Sequence, residues 1–290
     1  MKQIPVSIGI FAYNEENAIT KALDSVLKQK TDQIIIKEIL VVSSGSWDKT
    51  NSIVRNFSKK DKRIQLIEQF NRQGKSDAIN LFLTKTKGNV VVVTGADIRL
   101  HSKAIEEIAL PFLDDKVGMV GAHPVPTNIV QSKIGKEIAL LWKLHHIISM
   151  QHPKCGETVA FRKVIKAIPK QSAVDEATIE VLLKLIGYQV VYAPRAIVYN
   201  KVPLNLNDFL TQRRRVYAGH KWITQKYNYQ VSTMKLQNDF NAIIEYFVSH
   251  PQDVLCLSKL VSYEVMGRLL GWFDFYILNK NPYVWKMVKR

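Results

Sequence analysis

Strand and helix patterns alternate through the first third of this 290-residue chain. Four short runs rich in Ile, Val and Leu predict buried strands, at residues 6–11, 39–42, 64–67 and 90–93. Between these runs, apolar residues at helical spacing predict helices at 19–27, 48–57 and 75–84. This order predicts an α/β fold with a mostly parallel sheet flanked by helices, in which ligands bind where the strands end.

The second half of the chain is less regular but still mixed. Its pattern predicts helices at 135–150, 177–186 and 206–223, and short strands at 159–161 and 190–192. Beyond residue 236 we expect two more helices, separated near Pro251. The most apolar stretch, 254–278, carries four charged residues, so it falls short of the ~18 apolar residues that a membrane span needs.

Composition favours a packed globular protein that attracts anions. Apolar residues make up 47% of the chain, and 41 Lys and Arg stand against 25 acidic residues, a formal net charge of +16. Such a surplus attracts nucleotide phosphates, nucleic acid or anionic lipid headgroups. It is concentrated, since no acidic residue stands between Asp208 and Asp239. Cys155 and Cys256 are too few for a disulfide scaffold and lack metal-site spacing.

Polar clusters follow the predicted strands of the first half. After the first strand, the Tyr13 ring can pack on a nucleobase while Glu15 accepts a ribose hydroxyl; a turn capped by Asn14 explains the same residues without a ligand. A Ser-rich segment, 43–46, follows the second strand. Gly74 lets the backbone come close to a ligand, and Lys75 can neutralise a diphosphate, although the spacing is not that of a P-loop.

Two charged elements mark the second half. The pair Asp175-Glu176 stands at the start of a predicted helix, where the helix dipole favours acids and where a general base could also stand. Gln212 and three consecutive arginines, 213–215, lie within the predicted 206–223 helix. A solvated basic face is the simplest explanation for at least one of these arginines.

Taken in order, these segments resemble the family 2, GT-A-type glycosyltransferases. Residues 42–50 are similar to that family's V-D-D-G-S-T-D-x-T segment, and residues 71–80 to N-x-G-K-x-x-A-x-N. Residues 94–97 are similar to the strand that ends in Asp-x-Asp, and 212–216 to Q-x-x-R-W. The resemblance spans residues 4–222. It implies a GT-A-type, Rossmann-like sheet, a UDP- or GDP-sugar donor, a divalent metal (Mn²⁺ or Mg²⁺) and inversion at the anomeric carbon.

The resemblance also assigns roles residue by residue. Glu176 stands in place of the family's catalytic Asp and is the expected base, with Asp175 as the second choice. Gln212, Arg213 and Arg215 are expected beside the acceptor and the diphosphate. The expected donor-binding residues, of which Asp97 is also the expected metal ligand, are Ala12, Tyr13, Glu15, Ser44, Lys75 and Asp97.

The chain departs from the family pattern at several of these positions. Ser43 and Ser44 replace two acids, and Gly95 replaces the first Asp of Asp-x-Asp, which leaves Asp97 as the one expected protein carboxylate on the metal. Val216 replaces a Trp, which removes a stacking surface and puts a polymer-threading channel in doubt; processive and single transfer both stay open. The acidic pair is also reversed, from the common Glu-Asp to Asp175-Glu176.

We expect residues 1–225 to form the GT-A domain, with 1–130 as the nucleotide-sugar half and 131–225 as the acceptor half. Residues 226–290 are expected to form a helical extension. The basic stretch 209–238, the aromatic 254–278 helix and the basic, aromatic residues 283–290 suit a membrane interface. They predict a cytoplasmic protein, peripheral on the inner face of the membrane, with a lipid-linked or saccharide acceptor. Helices that only cover the core, with their charged residues in water, explain the same pattern nearly as well.

Two other functions fit parts of the sequence. A non-enzymatic α/β protein that binds nucleotides or nucleic acid accounts for the charge, but no nucleic-acid-binding motif is present and no nucleic-acid partner is expected. A sugar-nucleotide nucleotidyltransferase shares a related architecture, but its Gly-rich G-x-G-T-R-type loop is missing. The favoured hypothesis is an inverting glycosyltransferase acting on a lipid-linked or other hydroxyl or phosphate acceptor.

Overall fold

A computed structural model describes residues 3–229 and 244–284 of the chain. Its strands are β1 (Ile4–Ala12), β2 (Ile34–Ser44), β3 (Ile64–Gln69), β4 (Val90–Gly95), β5 (Arg99–Leu100), β6 (Val117–Pro126), β7 (Thr158–Arg162) and β8 (Gln189–Asn200). Its helices are α1 (Ile19–Leu27), α2 (Thr50–Lys60), α3 (Lys75–Lys85), α4 (Ala104–Ala109), α5 (Gly135–Gln151), α6 (Asp175–Leu185), α7 (Leu206–Tyr227) and α8 (Val254–Tyr276). Residues 244–249 are also helical.

The strands form one mixed sheet in the order β3-β2-β1-β4-β7-β6-β8-β5. Strands β1 to β4 run parallel, as the alternation predicts. β7 then runs antiparallel to both β4 and β6, whereas β6 and β8 are parallel. The α/β sheet with flanking helices and a C-terminal helix is therefore confirmed, and the change of strand direction at β7 is an addition to the expected parallel order.

Two apolar layers cover the two faces of the sheet. Side chains alternate along a strand, so Ile8 and Ile10 of β1 pack in one layer with α1 and α4, while Phe11 packs in the other with α3. This two-sided burial explains why the parallel strands read as continuous apolar runs. It also fixes the carboxyl ends of β1, β2 and β4 side by side.

The region between β4 and α5 is where the sequence-based assignment falls short. β5, α4 and β6 were not expected, and β2 begins five residues earlier than the predicted strand at 39. β6 has the sequence VGMVGAHPVP. Gly and Pro are depleted in strands, so its local pattern gives a weak strand signal, and its pairing with β7 and β8 supplies what propensity does not.

The last helix packs closely along α7. A Cβ atom at Gly267 would lie 2.7 Å from the Arg213 Cβ, and one at Gly271 would lie 2.8 Å from the Tyr217 Cβ. Arg214 and Asp274 add a two-pronged ion pair with both N–O distances at 2.7 Å. Within 3–229 and 244–284, each helix is too short or too polar to cross a bilayer. The predicted features at 230–243 and 285–290 lie outside the described residues.

Candidate active site

The sequence-predicted residues of the donor side, the catalytic pair and the acceptor side all face one cavity of about 660 Å³. They reach it from distant parts of the chain: the ends of β1, β2 and β4, the start of α3, the start of α6, and α7. The members are Ala12, Tyr13, Glu15, Ser44, Lys75, Asp97, Asp175, Glu176, Gln212, Arg213 and Arg215.

Loops at the ends of β1 and β2 brace each other at the donor edge. The backbone N–H of Asn14 donates to Ser46 Oγ at 3.1 Å, and the backbone N–H of Glu15 donates to Thr50 Oγ1 at 2.8 Å. Asp48 accepts from the backbone N–H of Glu16 at 3.0 Å. Asp48 is thereby occupied with holding the loops together, which fixes Tyr13 and Glu15 at the cavity wall.

An arginine that the motif analysis did not single out completes this edge. The Arg72 guanidinium carbon lies 4.1 Å from the centre of the Tyr13 ring, a cation–π geometry. Ser44 is buried, and its hydroxyl has no hydrogen-bond partner among the described residues. A planar cation on an aromatic ring, beside an unsatisfied hydroxyl, can accept a nucleobase by stacking and hydrogen bonding.

Asp97 follows β4 and fits a divalent cation. A Cβ atom at Gly95 would lie 2.5 Å from Asp97 Oδ1, so the absence of a side chain at Gly95 is what lets this carboxylate fold back to the strand end. A carboxylate is a hard oxygen ligand, suited to Mg²⁺ or Mn²⁺. Among the described residues, no group of three His, Cys, Asp or Glu side chains could enclose a metal by itself.

Gly74 and Lys75 form the junction between the two sides. Gly74 has a φ of +96°, a conformation that favours glycine, and its Cβ position would lie 3.1 Å from the backbone oxygen of Tyr283. The next residue, Lys75, points to the acceptor side, where its Nζ lies 2.6 Å from Glu176 Oε1. The ammonium is 3.9 Å from Asp175 Oδ2.

Burial and mutual attraction set the charges of Lys75, Asp175 and Glu176. Burial opposes the charge of Lys75, but Glu176 and Asp175 outweigh it and raise the pKa of Lys75 to about 12. Burial raises the pKa of Asp175 to about 6, despite the attraction of Lys75. At Glu176 the Lys75 ammonium outweighs burial and holds the pKa below its ordinary value. Glu176 is therefore an ionised carboxylate at neutral pH.

A hydrogen bond from Ser76 holds the Asp175 carboxylate in a buried position. Asp175 is only 2% exposed and is hydrogen-bonded to the Ser76 hydroxyl, which also contacts the backbone oxygen of Ser172 at 2.9 Å. Glu176, one residue later on α6, is half-buried. Both acids line the cavity, and Glu176 is the more exposed of the two.

The arginines of α7 have separate tasks. Arg213 pairs with Glu264 of α8 at 2.8 Å and also lines the cavity. Arg214 faces α8 and pairs with Asp274. Arg215 lines the cavity near the acidic pair and contributes to the potential at both Asp175 and Glu176. The basic cluster is thus divided between docking α8 and facing the cavity, rather than forming a solvated face.

Two histidines beside these arginines stay neutral. Burial, followed by the charge of Lys154, lowers the pKa of His145 to about 3. Burial, followed by Arg213, lowers the pKa of His220 to about 3. The positive potential on this side therefore comes from Lys and Arg alone. These histidines and Lys154 were not predicted, because no spacing in the sequence relates α5, the 152–156 loop and α7.

One branch of the cavity is apolar. It is bounded by α5, α7 and α8, whose side chains there include Ile138, Leu141, Trp142, Leu144, Ile148, Phe209, Leu257, Leu260, Val261 and Val265. The branch opens into the same space as Glu176 and Arg213. The cavity wall is therefore polar at the strand ends and mixed along the helices, where these apolar side chains stand beside His145, Arg213 and Glu264.

The mixed sheet, with a polar cavity at its strand ends, has the architecture of the GT-A-type glycosyltransferases. The chain belongs to glycosyl transferase family 2, whose model matches residues 7–166. The model of glycosyl transferase family group 2 matches residues 90–278, which includes α7 and α8.

Similar proteins agree with this assignment. The chain is 26% identical over 275 residues to "Probable glycosyltransferase YdaM" of Bacillus subtilis, which covers 86% of this chain and 63% of that protein. It is 27% identical over 244 residues to poly-beta-1,6-N-acetyl-D-glucosamine synthase of Staphylococcus aureus, which covers 79% of this chain and 57% of that protein. The chain thus spans about three fifths of the length of these relatives.

A solved structure shows the same fold. The mannosyltransferase PcManGT of Pyrobaculum calidifontis, in complex with GDP-Man and Mn²⁺, superposes with a TM-score of 0.70 at 19% identity. The superposition covers 97% of this chain and 89% of that one. At this identity the likeness shows the fold alone.

Proposed function

We propose that this protein transfers a sugar, with inversion, from a UDP- or GDP-sugar to a lipid-linked acceptor. The observation that carries the proposal is the contact between Lys75 and Glu176. It joins the donor-side loop to the start of α6 inside the cavity that also contains Asp97. A base, and a cation that a bound diphosphate can draw away from it, fit an in-line displacement at a sugar carbon in which the base and the leaving group stand on opposite faces.

On the donor side, each residue has a task that its position supports. Tyr13 and Arg72 stack on the base, Ser44 accepts or donates a hydrogen bond to it, and Glu15 accepts from the ribose. A divalent cation bound at Asp97 would neutralise charge on the leaving diphosphate. Mn²⁺ and GDP-Man in the PcManGT complex support this choice of ligands. Either nucleobase fits the residues named here.

Glu176 is the proposed base. It accepts the proton of an acceptor hydroxyl while that oxygen bonds to the anomeric carbon and the bond from carbon to the diphosphate oxygen breaks on the opposite face. In the free enzyme Lys75 neutralises Glu176, which weakens it as a base. A bound diphosphate competes for the Lys75 ammonium. Donor binding therefore raises the basicity of Glu176 at the moment when the acceptor can be used.

The apolar branch between α5, α7 and α8 supports a lipid-linked acceptor. If the acceptor were a saccharide alone, the aliphatic and aromatic side chains of this branch would stay in contact with water. A hydrocarbon chain bound in the branch would bury them. Arg213 and Arg215, which line the same cavity, suit the phosphate that joins a lipid to the sugar carrying the acceptor hydroxyl. The two arginines and the apolar wall thus match the two parts of such a molecule.

The outer face of α8 supports attachment to a membrane surface. Leu269, Trp272, Phe273 and Tyr276 lie on this face and are 63%, 45%, 46% and 50% exposed. Lys221 and Lys226 of the adjoining α7 and Lys280 after α8 add positive charge. An apolar helix face with flanking Lys residues suits the inner, anionic surface of a membrane, where the protein would be peripheral.

A thermal-shift screen tests the donor assignment. UDP-, GDP- and other nucleotide-diphospho-sugars are added at about 1 mM with and without Mn²⁺, and we expect one nucleotide class to raise Tm by several degrees in a Mn²⁺-dependent way. Single-stranded DNA is the control ligand for the nucleic-acid alternative. A shift with DNA and none with any nucleotide sugar would contradict the proposal.

A further inference from the structure

Glu157 has a backbone conformation that its side chain does not favour. It directly precedes β7 and has a φ of +60°, in the left-handed region. The positive φ falls on Glu157 and not on the neighbouring Gly156, which could adopt it without strain. For a residue other than glycine, this backbone conformation costs about 1 kcal/mol or more. Such outliers concentrate where a side chain must face a ligand, and Glu157 does face the cavity.

A buried amide supports this carboxylate. Asn200, the last residue of β8, is 1% exposed, and its Nδ2 lies 3.2 Å from Glu157 Oε1, to which it donates. Its Oδ1 has no hydrogen-bond partner among the described residues. Asn200 also lines the cavity. A buried, unsatisfied oxygen at a cavity wall is costly unless a ligand donates to it.

Glu157 and Asn200 lie between the proposed cation site at Asp97 and the proposed base, Glu176. β5 and β8 pair with Arg99 opposite Tyr199, so the end of β8 runs beside the residues that follow Asp97. On the other side, the charge of Glu157 acts on Lys75, the partner of Glu176. A sugar attached to the diphosphate has to lie between the cation at Asp97 and the base at Glu176.

We propose that Glu157 and Asn200 bind hydroxyl groups of the donor's sugar and so select which sugar is transferred. This inference rests on the proposed function. A carboxylate and an amide oxygen, side by side, are two acceptors suited to neighbouring hydroxyl donors. Lys75 and Lys201 also face this part of the cavity, and their charges disfavour a second metal ion there.

Calorimetry with nucleotide and nucleotide sugar separates this role from diphosphate binding. For the donor that binds, the ratio of Kd for the nucleotide diphosphate to Kd for the nucleotide sugar is measured with Mn²⁺ in the wild type, Glu157→Gln and Asn200→Ala. We expect this ratio to fall by about tenfold in Glu157→Gln and about threefold in Asn200→Ala. The nucleotide diphosphate itself should bind within about twofold of wild type.

Glu157→Gly separates a ligand role from a structural one. Glycine relieves the positive φ but leaves the buried Asn200 Nδ2 without this acceptor, so Tm should stay within about 2 °C of wild type while the sugar-dependent gain in affinity is lost. Equal loss of nucleotide and nucleotide-sugar affinity in Glu157→Gln would assign the pair to the cation and overturn the inference. An unchanged Kd ratio in both variants, or a wild type that binds the nucleotide sugar no more tightly than the nucleotide diphosphate, would overturn this inference and leave the proposed function standing. A wild type that binds no nucleotide would instead refute the proposed function.

Discussion

The two sides of the cavity are built in different ways. The proposed donor edge consists of loops at neighbouring strand ends, tied together by hydrogen bonds such as those from Asn14 to Ser46 and from Glu15 to Thr50. The proposed acceptor wall consists of three helices, and its closure depends on α8 docking against α7 through Arg214–Asp274 and two glycines. The donor edge inherits its shape from the sheet, whereas the acceptor wall can be altered by loosening one helix.

The largest expected effect falls on the donor edge. Asp97→Ala removes the carboxylate at the end of β4, so we expect the Mn²⁺-dependent affinity for the nucleotide diphosphate to fall by about 100-fold. Asp114→Ala, which removes an exposed carboxylate bonded to the backbone N–H of Lys116, is the matched control and should leave it unchanged. The same affinity with and without Mn²⁺ in wild type and Asp97→Ala would break the donor assignment.

The next effect concerns the outside of the acceptor wall. Leu269→Asp on α8 should lower flotation with anionic vesicles at low salt by about tenfold, because one buried Leu contributes ~2 kcal/mol. Leu113→Asp is the control, since Leu113 is 66% exposed on another surface, against 63% for Leu269. Equal recovery with neutral and anionic vesicles, or no binding by the wild type, would end the membrane proposal and point to a soluble acceptor.

Loosening α8 sharpens the contrast between the two sides. Asp274→Ala leaves Arg214 without its two-pronged partner and should lower the free energy of unfolding by about 1–2 kcal/mol, since the pair is partly screened by solvent. Nucleotide affinity should stay within about twofold. Glu68→Ala removes the exposed Arg55–Glu68 pair of the donor half and should cost about 0.5 kcal/mol or less. Equal costs in both variants would show that α8 is not specially held.

The smallest effect is a pH dependence. Asp175 has a pKa of about 6, whereas Glu176 stays ionised well below that pH. As pH falls through 6, Asp175 takes up a proton, Lys75 is left with Glu176 alone, and Glu176 becomes a weaker base. Turnover should then fall by about threefold between pH 7 and 5, and Asp175→Asn should remove this step. A step near pH 6 that persists in Asp175→Asn would assign it to another group.

The sequence predicts the donor edge better than the acceptor wall. Tyr13 follows β1, Ser44 ends β2 and Asp97 lies two residues after β4. Neighbouring parallel strands bring these ends together, so strand order suffices to place the three residues. Lys75 was expected for similar reasons. Its contact with Glu176, 101 positions away, is a tertiary fact that local patterns do not contain.

The acceptor wall depends on choices that only packing decides. The pairing of Arg213 with Glu264 and the neutral state of His145 arise from helices far apart in the chain. The direction of β7 and the presence of β6 were missed because strand propensity is weak at Gly and Pro and carries no direction. Glu157 left no sequence signal, since its positive φ is visible only in the fold.

Transfer by the wild type, Glu176→Gln and Asp175→Asn tests the central claim most directly. Labelled sugar from the donor that binds best is incubated with Mn²⁺ and a total lipid extract, and label in the organic phase is counted. We expect Glu176→Gln to lower turnover by about 100-fold while donor affinity stays within about twofold, and Asp175→Asn to lower turnover only about threefold at pH 7. Wild-type turnover in Glu176→Gln, or a severe loss in Asp175→Asn alone, would contradict Glu176 as the base.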